Sequence, residues 1–91
     1  MVPDRAWSEA FQYAQRWVEE AEKQSLIAHG ARKDWERRIE SERAAGCMGI
    51  ARGTIAILEI FRPGDDQVAA LRRRLNHCPV LQICGARKEA V

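Results

Sequence analysis

The sequence predicts a mainly α protein: a long antiparallel helical hairpin, a shorter third helix and a C-terminal tail. Three observations carry that prediction. An apolar stripe with alternating steps of four and three runs from Trp7 to Ala28. The low-charge stretch Ala44–Phe61 places its two charges, Arg52 and Glu59, seven residues apart and so together on one face of a helix. Arg62-Pro63-Gly64 then interrupts the chain ahead of another short amphipathic segment.

The first helix is expected over residues 4–29. Its stripe is Trp7, Phe11, Ala14, Val18, Ala21, Ser25 and Ala28, and its opposite face carries Arg5, Glu9, Gln12, Arg16, Glu19 and Lys23. Asp4 is placed to cap its start and Gly30 to end it in a left-handed conformation. Leu26 and Ile27 lie off the stripe.

The second helix is expected over residues 32–61, despite Gly46, Gly49 and Gly53. Each glycine costs about 1 kcal/mol against alanine inside a helix, so packing has to return that cost. Trp35, Ile39, Gly46, Ile50, Gly53, Ile57 and Ile60 share one face. Turning the hairpin at Gly30 sets Trp7 and Phe11 opposite Gly53 and Gly49, and Ala14 opposite Gly46, large against small. That register allows a stacked Arg43–Trp17 contact. The alternative is an α+β chain with a small βαβ unit. Its strands would lie near 54–61, rich in β-branched residues, and near 80–84.

The third helix is expected over residues 65–77, capped by Asp65 or Asp66, with Val68, Leu71, Leu75 and Cys78 as its apolar stripe. Pro79 ends it, and residues 79–91 form the tail.

Composition narrows the function classes. Ninety-one residues make one domain, and a chain this short gains stability from a partner subunit, so a homodimer is expected. The 46% hydrophobic and 31% charged fractions are those of a folded protein. A net charge of +2 does not announce nucleic acid or membrane as a target. Cys47, Cys78 and Cys84 are an odd count without a signal-peptide pattern, which points to reduced thiols in the cytoplasm. No apolar run is expected to reach the roughly 18–20 residues needed to span a bilayer, so no membrane partner is expected.

No residue pattern supports catalysis. His77 and Cys78 are adjacent, and with Cys47 and Cys84 they lack the paired spacing of a zinc site. No group orients His29 or His77 toward a cysteine nucleophile, and GCMGIARGT lacks the lysine–hydroxyl pair of a phosphate loop. Hence no catalytic residue, cofactor or metal is assigned.

Binding is the remaining class. A protein partner, still unidentified, is expected at Tyr13, Trp17, Met48 and Ile55, where aromatic and apolar side chains lie beside or away from the hairpin contact. Small chains of this kind include accessory inhibitors or regulators of phage and plasmid type that occlude a host component, an argument from association alone. A second reading makes Arg72, Arg73, Arg74, Arg87 and Lys88 a basic end that binds nucleic acid. A third places a small ligand, such as a nucleotide, in a dimer cleft.

Overall fold

A computed structural model of the chain describes residues 3–78. It has three helices: α1, Asp4–Gly30; α2, Asp34–Phe61; and α3, Asp66–Asn76. α1 and α2 pack against each other along their length, and α3 folds back against both. The body is a slab of 48 × 23 × 15 Å. Among the described residues there is no strand, so Thr54–Phe61 is helix; the proposed strand at 80–84 lies outside those residues.

α1 follows its sequence pattern closely. Trp7, Ala14, Val18, Ala21, Ser25 and Ala28 are buried and Phe11 is half-buried, while Leu26 and Ile27 are exposed. Its ends differ from expectation. Pro3 is the N-cap and offers no side-chain hydrogen bond. Asp4 already lies inside the helix, and its carboxylate accepts a 3.1 Å hydrogen bond from Arg62 at the far end of α2. Gly30 is helical, and the chain leaves α1 through an extended Ala31. The left-handed glycine is instead Gly64 (φ 79°), which turns the chain from α2 into α3. There only a residue without a Cβ adopts the required backbone at little cost.

α2 turns a different face to α1 than the one expected. Its buried residues are Ala44, Met48, Ala51, Ile55 and Leu58. The expected face, Trp35, Ile39, Ile50, Ile57 and Ile60, is exposed. A Cβ built on Gly46, Gly49 or Gly53 would meet nothing within 4 Å, so these glycines do not make room for α1. The physical reason is that α2 carries two apolar strips of the same periodicity on nearly opposite sides. The buried strip presents a side chain at every level. The glycine strip would leave gaps against α1, and gaps forfeit dispersion contacts. Counted outward from the turn, Ala14 lies level with Ala51 and Ala21 with Ala44, so alanine supplies the close approach. The Arg43–Trp17 stack is replaced too: Arg43 bonds to Glu40 at 3.2 Å, and Arg62 lies 4.2 Å over the Trp7 ring.

α3 is held by its cap, its stripe and two ion pairs. Asp65 accepts hydrogen bonds from the backbone N–H groups of Gln67 and Val68, at 2.9 and 3.0 Å. Val68, Leu71, Leu75 and Cys78 are buried in the common core. Arg72 donates two hydrogen bonds to Glu59 of α2, at 2.8 and 2.6 Å. Arg74 donates two to Glu22 of α1, at 3.2 and 2.6 Å. The third helix is thereby tied to both arms of the hairpin by bidentate guanidinium contacts, the geometry that makes arginine pairs selective.

Candidate protein interface

The sequence-predicted protein-binding residues separate into two groups. Tyr13 is exposed and packs edge-on against the half-buried Trp17, ring centroids 6.3 Å apart. The buried Nε1 of Trp17 has no hydrogen-bond partner. Met48 and Ile55 lie elsewhere: they are 3% and 0% exposed, inside the core. A residue at that depth offers no surface to a partner of the folded chain. The four residues therefore do not form one patch.

The basic end is partly neutralised. Arg72 and Arg74 are bound to Glu59 and Glu22, and Arg73 is exposed beside them. These pairs hold both arginines more firmly protonated than usual, chiefly through the carboxylate hydrogen bonds, and Arg72 holds Glu59 below its ordinary carboxylate range. Arg87 and Lys88 lie outside the described residues. A groove of about 640 Å³ runs between α1 and α3, lined by Glu22, Leu26, Ala70, Arg73, Arg74, His77 and Cys78. Its one close ion pair is internal to the chain, Arg74 with Glu22.

No group of three or more histidines, cysteines, aspartates or glutamates is placed to hold a metal among the described residues. His77 Nδ1 lies 2.6 Å from the Arg73 carbonyl, a spacing that suits Nδ1–H donating to that oxygen. Burial pushes the thiols of Cys47 and Cys78 up from their ordinary values, and nearby carboxylates add to the shift. Both are therefore protonated, weakly nucleophilic thiols at neutral pH.

Among the described residues, an unpartnered apolar surface is the strip that the sequence pattern assigns to the hairpin core. Ile39, Gly46, Ile50, Gly53, Ile57 and Ile60 fall on one side of α2, with Phe61 at its edge and Trp35 at its start. Thr54 borders the strip, but its hydroxyl donates back to the Ile50 carbonyl at 2.8 Å. From Gly46 to Phe61 this side carries no charge; Arg52 and Glu59 lie around the helix from it. An 18-residue stretch of α2 has a mean hydropathy of 1.5 with 28% of it buried, so by length and composition this helix could cross a membrane. That corrects the expectation that no segment qualifies. α1, with charged residues along its outer side, runs beside α2 throughout.

The sequence signal for this surface was present as the shared face of Trp35, Ile39, Ile50, Ile57 and Ile60. The sequence expectation sets this face inside the hairpin, and the structure sets it outside. The chain matches no protein-family model, and no curated protein or solved structure is similar enough to count as a relative.

Proposed function

We propose that this chain is a non-catalytic protein-association module that works through the open strip of α2. The observation that supports this reading is the exposure of Ile50, Ile57, Ile60 and Phe61 on one uncharged helix side, at 42%, 54%, 75% and 56%. Single exposed apolar residues are ordinary; a contiguous apolar side of this length marks an interaction surface. In this reading the chain acts by association through this strip, and no bond is made or broken. The nucleic-acid reading has less behind it, since two of its three described arginines are engaged within the chain.

A photo-crosslinking side chain placed at Ile57 in the native cell, with one at Arg5 as control, tests this. The expected result is a protein adduct at position 57 that is missing at position 5. A probe that adds only to lipid or nucleic acid, or to nothing, rejects the reading.

A further inference from the structure

The periodicity of the open strip identifies what covers it. Gly46, Ile50, Gly53, Ile57 and Ile60 are separated by four, three, four and three residues. That is the seam spacing of two helices packed side by side. Glycine and isoleucine occupy its levels in an order that is complementary to itself when reversed. We propose that the strip is the interface of a homodimer, with α2 of a second copy packed antiparallel. The two-fold axis crosses midway between Ile50 and Gly53. This rests on the protein-association reading above and names its partner.

In this register Ile50 of each copy faces Gly53 of the other, and Ile57 faces Gly46. Ile50 and Ile57 each enter a place where the opposite helix has no side chain. A parallel, in-register pair would set glycine on glycine and isoleucine on isoleucine, leaving two hollow levels. At the ends of the overlap Ile60 faces Arg43. The arginine's methylene stem can cover the isoleucine while its head stays outside with Glu40, 3.2 Å away in its own chain.

Two further observations point to a second copy. The first is the cost of the glycines. Three of them sit inside α2 at exposed positions where an added Cβ meets nothing within 4 Å. Among the described residues nothing returns their lost helix propensity, whereas the close approach of a second helix does. The second is area. Ile50, Ile57, Ile60 and Phe61 lie within the α2 overlap and are between 42% and 75% exposed. At about 200 Å² for a fully exposed large apolar side chain, they alone offer on the order of 450 Å² per copy. That is more than half of the roughly 800 Å² per partner of a standard interface.

Sedimentation equilibrium at micromolar concentration, paired with circular dichroism, tests the proposal. The wild-type chain should weigh twice its 10.4 kDa. Ile57→Glu, which puts an unpaired carboxylate against apolar atoms, should weaken assembly by at least ~100-fold with helix content unchanged. Gly53→Leu should also give a folded monomer, because its side chain would take the place of Ile50 of the second copy. Ile60→Glu distinguishes the orientations. In the antiparallel register its carboxylate meets Arg43 and assembly stays within about tenfold of wild type at low salt. In a parallel pair it meets its own copy and dissociates the dimer.

A monomeric wild type, or a fully dimeric Ile57→Glu, overturns the homodimer. Equal disruption by Ile60→Glu and Ile57→Glu overturns the register. If the wild type is monomeric while the Ile57 probe still adds to a different protein, the homodimer fails and the association reading stands. If the probe adds to lipid, both fail.

Discussion

The two sides of α2 are built on the same period and meet opposite fates. One side, Ala44, Met48, Ala51, Ile55 and Leu58, lies in the core; the other, Gly46, Ile50, Gly53, Ile57 and Ile60, faces solvent. Both repeat at steps of four and three, and both are free of charge from residue 44 to 61. What separates them is the identity of the small residues. Alanine lets α1 approach while keeping a methyl group to pack and a strong helix former in place. Glycine leaves bare backbone. The two sides differ in small-residue type more than in hydrophobic content.

Substitutions can break or sharpen that contrast. The largest effect is expected for Leu58→Ala on the core side, about 2–5 kcal/mol of lost stability by chemical denaturation. The matching change on the other side, Ile57→Ala, should stay within about 0.5 kcal/mol when the chain is measured dilute. Equal losses at both positions would erase the distinction. Next comes enlargement of the small residues. Ala51→Leu should destabilise by about 1–3 kcal/mol through overpacking. Gly53→Ala should stabilise the dilute chain by up to about 1 kcal/mol, because it restores helix propensity at an open site.

The cap that starts α3 over the core side gives a similar magnitude. Asp65→Ala should cost about 1 kcal/mol by removing the acceptor of two backbone N–H groups. The smallest effect concerns pH. Arg72 depresses the carboxyl of Glu59 below its ordinary value of 4.5. A group lowered in the folded state adds stability that is full above 4.5 and is lost as pH falls through the lower, folded value. The pair is partly exposed, so its share is a few tenths of a kcal/mol, and Arg72→Gln should flatten that part of an acid-denaturation profile.

This contrast also marks how far the sequence could be read. α1 and α3 each have one apolar stripe and one charged side, so their buried residues followed directly from spacing. α2 has two candidate sides, and a one-dimensional period cannot rank them. Large-against-small pairing selects the glycine side for α1, yet alanine lies level with alanine there, Ala14 with Ala51 and Ala21 with Ala44, and the glycines face outward. The same rotation takes Met48 and Ile55 from the expected surface into the core. The ends were harder still. Gly30 and Gly64 both precede a change of direction, and only Gly64 takes the left-handed conformation. The ion pairs Arg62–Asp4 and Arg74–Glu22 join residues more than 50 positions apart, beyond the reach of local pattern.

The bare backbone at Gly46, Gly49 and Gly53 has a consequence for amide exchange. All three sit in the same hydrogen-bonded helix as Ala44, Met48 and Ala51. The amides on the alanine side are roofed by α1, so solvent deuterons reach them only when the hairpin opens. Those on the glycine side have no side chain above them, and a local fluctuation of one turn suffices. A single helix should therefore show two exchange regimes, alternating with its turn. When a partner seats on the strip, the fast set should slow and merge with the other.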